Sequence, residues 1–369
     1  MTSVVPPPPV DLDQERLKVL LEYIPSKVRL RIKRLVRKAV TLFEGERHFE
    51  VLELLNRAVR DCETAETTLL PTAEGDVVTN RVRMITYGVA QPTLLSCCLF
   101  KRFITQSPMY VTSLEKVNAA EKLAMAVNSN KDWSVVKDAG AGSGTFYYYD
   151  EKKDLHYFKV ITTVNVCALY LCGIVLELDL YKEWFPFCLL SQPQGDISRF
   201  HKSSFFVVKA PWPLSNREIF VCGYGVDDLE RNGRIFAVAN SIEESNLPPN
   251  VRPPPPNKED NIRCNILYGG FLFEIVAPQR TKVSFIMSID PKIPNIPQKA
   301  LNWVSGKVVW QMQKEIEAAA IKSMEKNSKY YQRRRERKEE YELLRCRYNE
   351  YLERMYPGTA EQYKLDEDY

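Results

Sequence analysis

The sequence predicts an α+β protein, an antiparallel sheet with helices before and after it. Three observations predict it. Apolar residues recur at helical spacing up to about residue 68. From Trp133 to Asp290 they fall into short runs rich in β-branched and aromatic residues. Beyond Pro294 and Pro297 the helical period returns.

Along the chain, residues 1–10, with Pro6 to Pro9, read as an extended leader. Residues 11–70 hold three helices. Leu12, Leu17, Leu20, Leu21 and Ile24 mark the first, which stops near Pro25. Leu30, Ile32, Leu35, Val36, Ala39, Val40 and Phe43 mark the second, which ends near Gly45. Phe49, Leu52, Leu55, Ala58 and Val59 mark the third. Residues 71–110, broken by Pro71, Gly75, Gly88, Pro92 and Pro108, read as a connection with a strand or two, and Val111–Asn128 as an amphipathic helix.

Strands are expected at Thr145–Tyr149, His156–Val164, Ser204–Val208, Ile219–Val226, Ile235–Ala239, Ile262–Tyr268, Phe271–Val276 and Lys282–Ile289. Turn signals such as Asn232-Gly233 and Gly269-Gly270 separate them. In the last run Val283, Phe285, Met287 and Ile289 share one side, so the sheet has one dominant apolar face. Val166–Leu178 and Tyr181–Leu189 read as helical interruptions, and the proline-rich 248–257 as a solvent loop. A long C-terminal helix carries Ala300, Leu301, Val304, Val308, Met312 and Ile316. Residues 329–369 form a charged helical extension with its own stripe of Tyr341, Leu344, Tyr348, Tyr351, Leu352 and Met355.

Composition narrows the function. With 51 basic against 47 acidic residues the net charge is only +4, so nucleic acid is not an expected partner. Nine cysteines, an odd number without a CxxC, read as reduced thiols of a cytosolic protein rather than a disulfide or zinc framework. The first residues lack a basic n-region and an apolar h-region. The longest apolar run, Val164–Leu178, is shorter than the roughly 18 to 20 residues of a bilayer span. A cytoplasmic location, peripheral to membranes, is therefore expected. Catalysis is not. His48, His156 and His201 stand in three separate segments, and no GxGxxG, P-loop or GxSxG is present. Gly140–Gly144 leads into a strand rather than a helix. No cofactor and no metal are expected.

A curved sheet crossed by a helix leaves one of two outcomes open: a filled α+β core, or a deep apolar cavity for a hydrophobic ligand. Three strings bear on the choice: Tyr181-Lys182-Glu183-Trp184, the run Lys209-Ala210-Pro211-Trp212-Pro213-Leu214-Ser215-Asn216-Arg217-Glu218, and Ser288-Ile289-Asp290-Pro291-Lys292-Ile293-Pro294-Asn295-Ile296-Pro297. With them, residues of about 115–325 resemble the StAR-related lipid-transfer (START) domain, nearest in motif to its phosphatidylcholine-carrier-like members. Glu218 stands for the usual Asp, and Phe185 where an Asp commonly follows the Trp.

The resemblance implies a helix-grip fold over 111–328, in which a curved antiparallel sheet surrounds a long C-terminal helix. It also implies non-covalent carriage of one lipid, phospholipid or sterol-like, in a tunnel gated by that helix. Residues expected to line it are Tyr181, Trp184, Phe206, Val208, Ile219, Val221, Phe285 and Met287, with Trp303, Val304 and Val308 on the helix. Trp184 and Phe206 read equally as plain core aromatics. The phosphate-holding Arg of choline-lipid carriers falls on Tyr181, and the two cage aromatics on Phe206 and Ile219. The Arg of the sterol carriers' charged pair falls on Gly223.

Outside that stretch, Lys27, Arg29, Arg31, Lys33, Arg34, Arg37 and Lys38 place seven basic residues in twelve with no acid. This is either a surface for anionic membrane lipid or a solvated helix face. The run 333–338, followed by Glu339, Glu340 and Glu342, suggests i,i+4 pairing on an exposed helix. A second functional class stays open, a non-catalytic scaffold that binds protein partners through the START-like domain and its flanking helices.

Overall fold

The computed structural model describes residues 12–69 except 23, 96–129, 133–290 except 141 and 257–260, 292, 307 and 309–365. They form two compact units, a helical one over residues 7–118 and a sheet unit containing residues 119–369.

In the helical unit, α1 (Gln14–Leu20) begins at Asp13, whose carboxylate accepts the Arg16 backbone N–H at 2.9 Å. α2 (Ser26–Glu44) follows Pro25, and its Arg29 donates back to the carbonyls of Glu22 and Ile24. Ile32, Val36, Ala39 and Leu42 form the inner stripe of α2. They share one core with Val51, Leu55, Ala58 and Val59 of α3 (His48–Leu69).

Residues 96–105 form a helix, α4, where the sequence suggested a connection with strands; residues 71–95 lie outside the described ones. Cys97, Phe100 and Ile104 supply its buried face at spacings of three and four. α5 (Pro108–Asn128) begins in this unit. Where α2 meets α3, Glu46 has a left-handed φ of 58°. His48 Nδ1 lies 3.0 Å from Ser113 Oγ, and the Lys116 ammonium donates to Glu46 at 2.9 Å. Ser113 and His48 are fully buried, so the cluster fastens α5 to this corner and presents no nucleophile to solvent.

The sheet unit holds β1 (Ser134–Gly140), β2 (Ser143–Asp150), β3 (Leu155–Val164), β4 (Cys188–Ser198), β5 (His201–Val208), β6 (Asn216–Asp228), β7 (Arg234–Asn240), β8 (Asn261–Ala277) and β9 (Arg280–Asp290). They lie in the order β1-β2-β3-β9-β8-β7-β6-β5-β4, antiparallel and open at both edges. β7 has 7 residues between neighbours of 13 and 17. Beyond its end those neighbours pair directly and in parallel, Asn216–Ile219 against Asn261–Cys264, which curls the sheet. α6 (Ala168–Leu176) and a 3₁₀ turn, Leu178–Glu183, follow β3; α7 (Leu229–Asn232) follows β6. α8 (Val309–Ser323), α9 (Lys329–Glu336), α10 (Lys338–Met355) and α11 (Ala360–Tyr363) close the chain.

Four local expectations differ from the structure. Tyr181–Leu189 is not a helix: the 3₁₀ turn ends at Glu183 and β4 starts at Cys188, because β5 offers a hydrogen-bonding edge. Ile262–Tyr268 and Phe271–Val276 are one strand. Gly269-Gly270 lies inside it, and a Cβ on Gly270 (φ 151°) would sit 2.2 Å from the Ala237 carbonyl oxygen, so only glycine lets β7 approach. The proline-rich stretch buries Val251 against Phe205, Val207 and Phe220 on the outer side of β5 and β6. Arg334 is buried, and its neighbour Arg333 pairs with Asp179 rather than standing on a solvated helix.

The two faces of the sheet follow the period of two. Phe158, Val160, Phe206, Ile219, Val221, Phe271, Phe273, Val283 and Phe285 point to the inner face. They share one core with α6 and with Met312, Ile316, Ala319 and Ala320 of α8. On the outer face Lys159 is buried and donates to the Val127 and Ser129 carbonyls at the end of α5. Residues 329–365 belong to the inner core as well. Tyr330, Tyr341, Tyr348, Tyr351 and Leu352 are buried in it, and the Tyr348 hydroxyl donates to the Pro278 carbonyl at 2.6 Å.

Candidate functional site

The inner face is built where the 3₁₀ turn meets the sheet. Ser191 Oγ on β4 donates to the Asp179 carbonyl at 2.8 Å, which ties the turn down and presents Tyr181 and Trp184 to the sheet. Ring centroids then run as a continuous wall. Tyr181 lies 5.2 Å from Phe206 and 5.2 Å from Trp184, Trp184 lies 6.4 Å from Phe271, and Phe271 lies 4.7 Å from Phe285. Phe206 faces Ile219 across β5 and β6, with Val221 two residues on. Val208 and Met287 are half-buried and pack against the same cluster. All eight expected residues that are described therefore meet in one apolar body. Trp303, Val304 and Val308 lie outside the described residues.

Two polar atoms in the wall differ in their state. The Tyr181 hydroxyl donates to the Val175 carbonyl at 3.0 Å, so it is already used within the protein, and burial pushes its pKa far up. Among the described residues the Trp184 indole N–H has no hydrogen-bond partner, although the residue is only 4% exposed. A buried donor left in this state costs about 1–3 kcal/mol. Below the wall, Glu177 is fully buried between α6 and the turn. Burial pushes its carboxyl up, and Arg337, 3.4 Å away, pulls the other way without cancelling it. The Tyr341 hydroxyl donates to Glu177 at 2.8 Å, so α10 braces the turn that carries Tyr181 and Trp184.

Sequence reasoning missed Phe271, Phe273 and Phe158 as wall residues. The alternation Phe271, Phe273, Ile275 carried the signal, hidden by reading Gly269-Gly270 as a chain reversal. Gly223, on β6, faces Lys202 of β5, which is buried and bonded to Asp196 at 3.1 Å. Trp310 on α8 is half-buried, with the Lys137 ammonium 3.4 Å from its ring centroid.

The basic residues of α2 belong to the helical unit and divide by partner. Arg29 is held by backbone carbonyls and Arg31 pairs with Asp61 at 2.8 Å. Lys33 is half-buried. Lys27, Arg34, Arg37 and Lys38 are exposed, and among the described residues none has an ion-pair partner. Among the described residues, too, no group of His, Cys, Asp and Glu could hold a metal ion, and no helix is long and apolar enough to cross a membrane.

Comparison with known proteins follows the same outline. The chain is similar to human StAR-related lipid transfer protein 5, at 14% identity over 58% of this chain and 99% of that one, with a TM-score of 0.48. It is similar to human STARD10 at 16% identity over 58% of this chain and 81% of that one, TM-score 0.46. A STAR-related lipid transfer protein from Xanthomonas axonopodis matches at 15% identity over 52% of this chain and 99% of that one, TM-score 0.41. No curated protein sequence matches the chain. The family model described as START domain matches residues 113–326, more than half of the chain and all of the sheet. The chain thus belongs to the START domain family, whose general role is to bind and transfer lipids and whose members are in general non-catalytic carriers.

Proposed function

We propose that this chain carries one lipid molecule, phospholipid or sterol-like, with its apolar body against the inner face of the sheet, and exchanges it at membrane surfaces. The observation that carries the reading is the Trp184 indole N–H, a buried donor that finds no acceptor among the described residues, in an aromatic wall. A lipid with one acceptor oxygen near its polar end would satisfy that donor while its hydrocarbon lies along Phe206, Ile219, Phe271 and Phe285. Apolar burial of this kind stabilises a complex by roughly 25 cal/mol per Å². The Tyr181 O–H is committed to the Val175 carbonyl, so this residue would offer a head group an acceptor oxygen rather than a donor. Residues Trp303, Val304 and Val308 complete the lining in this proposal, as a gate.

Two surfaces support membrane contact, each considered on its own unit. In the sheet unit Trp212, between Pro211 and Pro213 on the β5–β6 loop, is 94% exposed, and an indole is at home at a bilayer interface. In the helical unit Lys27, Arg34, Arg37 and Lys38 surround exposed Leu30, a cationic face for anionic lipid worth about 1 kcal/mol per contact. The scaffold reading draws less support, because α9 and α10 turn their aromatic faces into their own core.

The test is native mass spectrometry of the protein purified from cells, with lipid extraction from the same sample. One lipid class near one-to-one stoichiometry is expected. A chain that stays empty after incubation with mixed liposomes overturns the carrier reading. Vesicle co-sedimentation of Trp212→Ala and of the joint Lys27→Glu, Arg34→Glu, Arg37→Glu variant then apportions membrane contact between the two surfaces.

A further inference from the structure

The helical unit holds a pair of sulfur atoms that the carrier function does not use. Cys62 near the middle of α3 and Cys97 at the start of α4 stand 35 positions apart in sequence, yet their Sγ atoms lie 2.9 Å from each other. Both are thiols, 1% and 2% exposed, set in the core among Val59, Phe100 and Ile104. The Cys97 thiol also lies 3.2 Å from the Cys62 carbonyl oxygen, so its sulfur is directed at Cys62 rather than along its own helix. A disulfide needs an S–S separation of about 2.05 Å, so the two sulfurs already stand within about 1 Å of bonding distance. Among the described residues no other pair of cysteine sulfurs is in such contact. Cys167, Cys222 and Cys264 are buried and Cys188 is half-buried, and burial pushes each of these thiols up to about 11.

We propose that Cys62 and Cys97 are a reversible dithiol–disulfide site that clips α3 to α4 when the chain meets a peroxide. In the first step the sulfur of one cysteine attacks a peroxide oxygen. The O–O bond breaks, one water leaves, and that cysteine becomes a sulfenic acid. The second sulfur then attacks the sulfenic sulfur, the S–O bond breaks, and the S–S bond forms as the second water leaves. Two cysteines lose two electrons and two thiol hydrogens in total, and one hydrogen peroxide becomes two waters. Local opening of the helical unit admits the oxidant, a molecule little larger than water. The bond converts a packing contact into a covalent link, and it reduces the freedom of the unfolded chain between the two positions, so the oxidised helical unit is the more stable form. Neighbouring Cys98 is exposed and faces away from the core, so it is not the partner.

The experiment treats the full chain with hydrogen peroxide, denatures it in an alkylating reagent and maps its peptides by mass, with and without a thiol reductant. The expected result is one cross-linked peptide pair joining Cys62 to Cys97, lost on reduction, with a higher urea midpoint before reduction than after. The pair persists in Cys98→Ser. Recovery of Cys62 and Cys97 as separately alkylated thiols or as sulfinic acids overturns the proposal. So does a cross-link from either of them to Cys98. The mapping is done on the unmutated chain, so the result does not depend on whether a Cys62 or Cys97 variant folds.

Discussion

Replacing Trp184 by Phe separates the two uses of that side chain, because stability and lipid affinity respond to it differently. The indole N–H is buried without an acceptor among the described residues. Removing it relieves a cost of about 1–3 kcal/mol. The smaller ring leaves roughly 40 Å³ unfilled between Tyr181 and Phe271, which at about 24 cal/mol per Å³ costs on the order of 1 kcal/mol, and the apolar ring area no longer buried costs about 1 kcal/mol more. The delipidated variant is therefore expected to lie within about 1 kcal/mol of the parent in stability. With lipid bound, the parent gains a hydrogen bond worth about 0.5–1.5 kcal/mol that the variant lacks. Its affinity should fall about two- to thirteen-fold. Urea unfolding of delipidated protein reads the first quantity, and displacement of a fluorescent lipid reads the second. A variant that binds lipid unchanged and is less stable by more than about 2 kcal/mol refutes the reasoning, since the indole would then serve packing alone.

Three further outcomes follow from the geometry. Gly270→Ala places a methyl group 2.2 Å from the Ala237 carbonyl oxygen at a φ of 151°, so the β7–β8 pairing must open. A loss of about 3 kcal/mol or more, read as a lower melting temperature, is expected. A chain ending at Ser328 loses Tyr330, Tyr341, Tyr348, Tyr351 and Leu352 from the core. At about 3–5 kcal/mol for each large aromatic, the sum exceeds the stability of an ordinary domain, so the sheet unit should lose fixed tertiary structure, read as loss of the near-UV circular dichroism of its tryptophans.

The helical unit should weaken as pH falls, in two stages. Burial pushes the His48 pKa down, against the pull of Glu46, so folded His48 holds fewer protons than unfolded below its ordinary 6.5. Burial pushes the Glu46 carboxyl up, but His48 and Lys116 outweigh it and hold it well below its ordinary 4.5. Both shifts are depressions, so both contributions are present above the unfolded values and are lost as pH drops, by at most about 1.4 kcal/mol per pH unit for each group. Hydrogen exchange of α2 and α3 across about pH 7 to 5 measures the first stage and urea unfolding across about pH 5 to 2 the second, and Lys116→Met should flatten the lower stage.

Much of the site was legible because a sheet residue's side is set by parity alone. Phe285 and Met287 were placed together by their alternation, and Phe206, Ile219 and Trp184 by their motif positions. What escaped depended on partners distant in the chain. Residues 188–198 carry Pro193 and Gly195 and lack a clean alternation; they are a strand because Ser204–Phe206 of β5 pair with Ser191–Pro193. The glycine pair 269–270 reads as a turn by composition, and only the approach of Ala237 shows that it lets two strands meet.

Local chemistry in the sequence by itself determined the α+β class, the succession of a helical, a sheet and a second helical region, the single apolar face and the absence of catalytic motifs. Each of these follows from the spacing of side chains along one segment, which the chain carries wherever it folds. Tertiary structure alone decided that Tyr341 reaches Glu177 across 164 positions, that the Tyr181 hydroxyl donates to Val175 while the Trp184 indole finds no acceptor among the described residues, and that Cys62 meets Cys97. Those facts concern which polar atoms find partners after burial, and burial is settled only when distant segments pack against one another.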